Sequence, residues 1–201
     1  MTTIPLSLDG YTDLPPGKIA NVVTFFERTE PPAGVPTVRA GLAVRPVEKP
    51  TVGWYRALYQ RIGGNWLWFS RAVMPDPALS AIISAPTTVM LALERDGQTI
   101  GLAEIDFSEP AAAEIVTFGL VPEATGKGAG PFLMEHALAA AFRPSVMRVW
   151  LHTCTFDHPA ATRFYASCGF RPYRFAVEVS DDPRRKGFLP RNAAPHVPLI
   201  E

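Results

Sequence analysis

Residues 118–131, with the sequence FGLVPEATGKGAGP, decide the fold of this chain. An apolar run at residues 115–118 leads into them and predicts a buried strand. Gly126, Gly128 and Gly130 follow at alternate positions, and then comes an apolar segment with helical spacing. A glycine-rich loop between a strand and a helix is a ready anion site, because bare N–H groups and the helix dipole both favour negative charge. The stretch therefore predicts a backbone site for a pyrophosphate.

Composition and charge argue against several classes of function. The chain has 201 residues, and its Lys+Arg total of 19 equals its Asp+Glu total of 19. A nucleic-acid-binding surface would usually show a basic excess, so we expect no nucleic-acid partner. No apolar run approaches the ~18 residues of a membrane span, and the N-terminus lacks the features of a signal peptide. We therefore expect a cytoplasmic protein with no membrane partner, in which Cys154 and Cys168 are reduced thiols.

Proline is concentrated towards both ends of the chain. Because proline interrupts helices and removes a donor from sheets, these ends are expected to be irregular. The expected organisation is an N-terminal extension at residues 1–36, a compact domain at residues 37–180 and a C-terminal tail at residues 181–201.

The middle of the chain alternates strand and helix patterns. The Asp96-Gly97 pair favours a tight hairpin turn, and Gly169 is a typical helix end. Asp76 before Pro77 predicts the N-cap of a short helix. Periodicity predicts strands at residues 37–44, 88–94, 99–107, 113–120, 146–153 and 170–179, and helices at residues 51–62, 78–83, 130–142 and 159–168. This order predicts a mixed α/β domain.

The glycine-rich stretch resembles a signature of the GCN5-related N-acetyltransferase (GNAT) superfamily. Within residues 120–133, Gly128 and Gly130 fill the glycine positions of the family's acyl-CoA motif. Thr125 stands where arginine or glutamine is usual in that motif. The match places a strand end and a helix start on either side of the loop.

A later segment, residues 157–173, resembles a second GNAT motif. Its Phe164-Tyr165 pair and the Gly-Phe that follows the helix fill the family's positions, while His158 stands where asparagine is common. Together the two motifs cover roughly residues 40–179. The resemblance implies a GNAT-like α/β fold, with a mixed, mostly antiparallel central sheet flanked by helices and with extensions at both termini.

The resemblance also implies acetyl-CoA as a cosubstrate and no metal. The loop amides would hold its pyrophosphate, and residues 117–121 would pair with its pantetheine arm, with Gly119 marking a bulge. The strand at residues 146–153 would splay away to leave a slot. Lys127 either adds charge to a phosphate or is a solvated loop residue. The implied cofactor-binding residues are Phe118, Gly119, Leu120, Val121, Thr125, Gly126, Lys127, Gly128, Ala129, Gly130, Pro131, His158, Ala161 and Phe164.

Direct acetyl transfer to an amine needs an acid for the departing thiolate and a base for the amine proton. The resemblance places Tyr165 where GNAT tyrosines reach the CoA sulfur, so it is the expected general acid; the alternative is a core tyrosine. His152 has a suitable intrinsic pKa for the base. Glu104 and Glu114 are rival bases, acting directly or through water. Asp157 is expected to cap the helix that follows it.

Three functions remain open from the sequence. The first is an N-acetyltransferase acting on a small-molecule or peptide amine. The second is a non-catalytic acyl-CoA-binding module or sensor with the same fold, and the third is a homodimeric scaffold whose aromatic patch binds another protein. The aromatic stretch at residues 66–69 and Arg71 fall where the family binds its acceptor, although so much aromatic surface is also typical of a core.

Overall fold

The structure, a computed structural model, describes residues 5–200 and has a central sheet with helices on both faces. Its strands are β1 (Lys18–Arg28), β2 (Ala43–Pro46), β3 (Thr88–Arg95), β4 (Gln98–Asp106), β5 (Ala112–Leu120), β6 (Arg148–Cys154) and β7 (Arg171–Asp181). Its α-helices are α1 (Val52–Gly63), α2 (Ser70–Val73), α3 (Asp76–Ile83), α4 (Ala129–Ala141) and α5 (Ala161–Ser167). The seven strands are ordered β2-β3-β4-β5-β6-β1-β7. The β5–β6 pair is parallel and the other pairs described are antiparallel, so the predicted mixed, mostly antiparallel α/β sheet is confirmed.

The central meander follows the sequence prediction. β3 and β4 are joined by a hairpin whose turn residues, Asp96 and Gly97, have φ angles of 50° and 75°. Both residues are of the types that tolerate positive φ in such turns. β4 then pairs with β5, which brings the glycine-rich loop to the middle of the sheet.

The N-terminal segment differs most from the prediction. The expectation that residues 1–36 are irregular is wrong over Lys18–Arg28, which forms β1 between β6 and β7. Nearby prolines flank this strand and do not interrupt it. Its partners lie far along the chain, so no local pattern indicates them. The strand predicted at residues 37–44 is also misplaced, because Gly41 turns the chain at φ 75° and β2 begins only at Ala43.

Helices pack on the sheet through their apolar faces. α1 begins after Thr51, whose side-chain oxygen accepts from the Trp54 N–H, and it buries Tyr55 and Leu58. α3 begins at Asp76, with Pro75 in the N-cap position, so the prediction that Asp76 is the cap is wrong by one residue. Among residues 5–200, no helix is long and apolar enough to cross a membrane.

A buried ion pair folds the C-terminal tail on itself. Arg184 Nη2 donates to Asp182 Oδ2 at 2.7 Å, and Arg184 Nη1 donates to the Val197 carbonyl at 2.7 Å. A small apolar cluster joins Leu189 of the tail to Leu67 in the segment after α1. The tail therefore covers the aromatic segment that the sequence analysis placed on the acceptor side.

Candidate functional site

The site is built where β5 and β6 separate. The two strands pair only from Ala112 to Glu114 on β5 and from Arg148 to Trp150 on β6, and beyond these residues a slot opens. The predicted splay of the strand at residues 146–153 is therefore confirmed. A gap between parallel strands leaves backbone groups of β5 without a sheet partner on that side, ready for a ligand.

A bulge in β5 lies at the start of this slot. In the β4–β5 register, Glu104 pairs with Thr117 and Ile105 with Ile115, so Val116 is the extra residue. The bulge expected at Gly119 is therefore wrong by three positions. Glycine is needed at Gly119 for a different reason, since a Cβ there would lie 2.3 Å from Ile62 Cγ2.

The end of β5 directs an N–H group into the slot. The Val121 N–H donates to the Ile100 carbonyl of β4 at 2.9 Å. Successive N–H groups of a strand point to opposite edges, so the Leu120 N–H faces the slot. It is a candidate donor to a thioester oxygen.

The glycine-rich loop has the backbone shape expected of an anion site. Gly126 and Gly128 have φ angles of 76° and 75°, which favour glycine, and α4 begins directly after Gly128. The first N–H groups of a helix have no intrahelical acceptor. Lys127 turns back and donates to the Glu123 carbonyl at 2.8 Å, while Arg39 donates to the Gly128 carbonyl at 2.9 Å.

A first cavity of about 510 Å³ runs along the slot and the loop. Val121 and Ala129 are fully buried, and with Lys127 they are the predicted cofactor residues that do not line it. The predicted residues that do line it are Phe118, Gly119 and Leu120 of β5, Thr125, Gly126, Gly128, Gly130 and Pro131 of the loop and α4, and His158, Ala161 and Phe164 near α5. The structure thus brings eleven of the fourteen predicted residues to one cavity.

Tyr165 lies along the first cavity among aromatic rings. Its side chain is 8% exposed, and its ring contacts Phe26, Phe118, Phe164 and Phe170. Its hydroxyl makes no hydrogen bond to residues 5–200. Burial raises the pKa of Tyr165, so its proton is retained through neutral pH. A protonated hydroxyl without a protein partner fits the predicted acid.

His152 lines both the first cavity and a second one that adjoins it. Its Nδ1 is 3.6 Å from Glu114 Oε1, so two of the predicted base candidates are brought together. The Glu114 carboxylate raises the pKa of His152 above its ordinary value. Glu114 lines neither cavity, so the imidazole of His152 lies between its carboxylate and the cavities.

The position of Glu104 does not suit the general base of the reaction. It is 1% exposed, and it accepts hydrogen bonds from the Tyr55 hydroxyl at 2.5 Å and the Thr117 hydroxyl at 3.0 Å. Its other oxygen accepts from Arg71 Nη2 at 3.0 Å. With each oxygen bound by a donor, this carboxylate fixes Arg71 beside β5.

The N-cap predicted for the helix after β6 is also wrong. α5 begins at Ala161, so Asp157 is not its N-cap. Asp157 instead accepts from Trp68 Nε1 at 2.6 Å and from the Thr153 hydroxyl at 2.7 Å. His158 Nδ1 accepts from the Ala160 N–H at 3.0 Å, which fixes the turn before α5. Asp157 therefore ties the aromatic segment to the end of β6.

The second cavity, of about 440 Å³, adjoins the first one and is lined in part by residues of α1 and α2. The two cavities share Trp66, Trp68, Val116, His152 and Asp157, which we call the junction. Beyond the junction the second cavity is lined by aromatic side chains and by polar groups from β1 and β7. Residue spacing does not indicate these polar groups, because β1, which brings Asn21 beside Glu178 of β7, is not predicted as a strand.

Cys154 lines the second cavity but is not an activated nucleophile. Burial raises the pKa of its thiol to about 12. A thiol with such a pKa carries almost no thiolate at neutral pH. Among the residues that the structure describes, no group of three or more His, Cys, Asp or Glu side chains could hold a metal ion.

Comparison with known proteins identifies one family model that matches the chain. Residues 52–170 match the family model described as Acetyltransferase (GNAT) family, which is more than half of the chain. No curated protein matches the chain.

Solved structures share the fold at low sequence identity. A GCN5-related N-acetyltransferase from Kribbella flavida has 20% identity and a TM-score of 0.56, over 82% of this chain and 60% of that one. Another from Sphaerobacter thermophilus has 15% identity and a TM-score of 0.57, over 81% and 52%. A functionally unknown conserved protein from Staphylococcus epidermidis has 14% identity and a TM-score of 0.57, over 83% and 64%. The chain thus spans about half to two thirds of the length of these structures.

Proposed function

This chain belongs to the GNAT acetyltransferase family, and from that premise we propose that it transfers an acetyl group from acetyl-CoA directly to a primary amine. The observation that carries the proposal is that the two cavities adjoin at the junction, whose five residues line both of them. One cavity suits the acyl carrier and the other suits the acceptor. Both His152 and Val116, the extra residue of the β5 bulge, belong to the junction.

The first cavity fits the acyl carrier by its backbone chemistry. The left-handed glycines Gly126 and Gly128 and the start of α4 offer N–H groups to a pyrophosphate without a charged side chain. A Cβ added at Gly126 would meet nothing within 4 Å, so space remains above the loop. The free edge of β5 offers peptide groups to the amides of the pantetheine arm.

Acetyl transfer forms a bond between the amine nitrogen and the acetyl carbon and breaks the bond between that carbon and sulfur. The amine loses one proton and the departing thiolate gains one. We assign His152 as the base that takes the amine proton, and Tyr165 as the acid that donates a proton to the thiolate. The Leu120 N–H stabilises the negative charge that develops on the carbonyl oxygen.

A thiol-release assay with acetyl-CoA and a panel of primary amines tests this proposal. We expect amine-dependent release of CoA, with the acetylated amine identified by mass spectrometry. Reactions without the amine are the control for hydrolysis. Calorimetry that detects no uptake of acetyl-CoA would contradict the proposal at its first step, and uptake without any transfer would favour a binding module.

A further inference from the structure

The second cavity has an unbalanced acidic charge. Arg71 lines it, but this guanidinium is already paired with the buried carboxylate of Glu104 at 3.0 Å. Glu178 of β7 also lines it and forms no salt bridge with residues 5–200, although its charge helps to raise the pKa of His152. The carboxylate of Asp157 adds a second negative charge at the junction. A cationic group is therefore favoured in this cavity over an anionic one.

A buried amide stands beside the unpaired carboxylate. Asn21 of β1 pairs with Glu178 across the sheet and is 5% exposed. Its Nδ2 donates to Glu178 Oε2 at 3.0 Å, while its Oδ1 has no partner in the described part of the chain. A buried acceptor without a donor is unfavourable, and a ligand N–H would satisfy it. Amide oxygen and carboxylate together offer acceptors to one cationic nitrogen.

The pair lies some distance from the junction. Phe25 of β1 is opposite His152, and Asn21 lies four residues further along the same strand. At about 3.3 Å per residue, the separation along the strand is about 13 Å. Aromatic side chains line the same cavity, among them Tyr59, Phe69 and Phe156. An apolar chain of this length would be covered by rings.

We propose that the Asn21–Glu178 pair binds a second cationic group of the acceptor, whose reacting amine lies at the junction. The acceptor is then an elongated diamine with an apolar body. This inference rests on the proposed acetyl transfer and names its acceptor class. A free carboxylate at the distal end would face Glu178 and be rejected.

Three acceptors of equal chain length test the proposal. They are α,ω-diaminooctane, octylamine and ω-aminooctanoic acid. We expect kcat/KM for the diamine to exceed that for the monoamine by about tenfold to a hundredfold, as for one hydrogen bond to a charged group. The amino acid should be the poorest of the three. Glu178→Gln should reduce the ratio of kcat/KM for the diamine to that for the monoamine by about tenfold. Because both acceptors are measured at one pH, any change in the charge of His152 affects both values and cancels in this ratio.

Asp181→Asn is the matched control, because it removes the same charge from β7 at a surface pair with Lys18. It should leave the ratio unchanged. Equal rates for the diamine and the monoamine, or a preference for the amino acid through Arg71, would overturn the inference while leaving acetyl transfer intact. If no amine is acetylated, calorimetric binding of the diamine decides alone: we expect Glu178→Gln to weaken it about tenfold, and equal affinity in both proteins contradicts the proposal.

Discussion

Replacing Tyr165 by phenylalanine separates the chemical role of this residue from its structural one. The substitution keeps the ring and its contacts with Phe26, Phe118 and Phe164. The hydroxyl makes no hydrogen bond to residues 5–200, so its removal leaves no protein group unsatisfied. We therefore expect the free energy of unfolding to change by less than about 0.5 kcal/mol.

Turnover should respond very differently. A positioned general acid contributes about 10²–10⁴-fold to a rate, which corresponds to about 2.7–5.4 kcal/mol of activation free energy at 1.36 kcal/mol per tenfold. Because burial raises the pKa of Tyr165, the native hydroxyl remains a proton donor across neutral pH. Tyr165→Phe should thus lower kcat for CoA release by at least about a hundredfold.

The assay pairs steady-state thiol release with calorimetry of acetyl-CoA binding. We expect the variant to keep its affinity for acetyl-CoA while losing turnover. Tyr173→Phe is a suitable control, because that tyrosine is an exposed residue of β7. A kcat within about threefold of the native value would refute the role of Tyr165 as the acid. Loss of acetyl-CoA affinity would point to a packing role.

Two further predictions concern the loop and the base. Gly126→Ala and Gly97→Ala both place an alanine at positive φ with nothing within 4 Å of the new Cβ, so each should destabilise the fold by about 1–2 kcal/mol. Calorimetry should show weaker acetyl-CoA binding only in Gly126→Ala, and an equal loss in both variants would argue against the loop as the binding site. Glu114→Gln removes the carboxylate that raises the pKa of His152. Since the base must be deprotonated, the acidic limb of the pH profile of kcat/KM should move to lower pH, whereas an unmoved limb would exclude His152 as the group that titrates.

The elements that the sequence predicts well are those whose signals are local. The hairpin at Asp96-Gly97 and the glycine-rich loop before α4 depend on residues close together in the chain. Their side chains and turn types dictate the backbone directly. The same locality explains why most of the predicted loop residues lie along one cavity.

The second cavity could not be predicted in this way. Asn21 and Glu178 are 157 positions apart, and only the sheet register brings them together. The sequence allows Glu104 as a rival base, yet its carboxylate is held by three donors from other elements. Contacts of this kind are set by tertiary packing, which residue spacing does not encode.

The position of β1 has a consequence for how the chain is made. It leaves the ribosome before β6 and β7, yet both of its hydrogen-bonding neighbours are those two strands. Until they are synthesised, β1 has two unpaired edges, which is the state that invites aggregation or chaperone capture. Any fragment that stops before Arg171 therefore leaves Asn21 without Glu178 and one wall of the second cavity unbuilt.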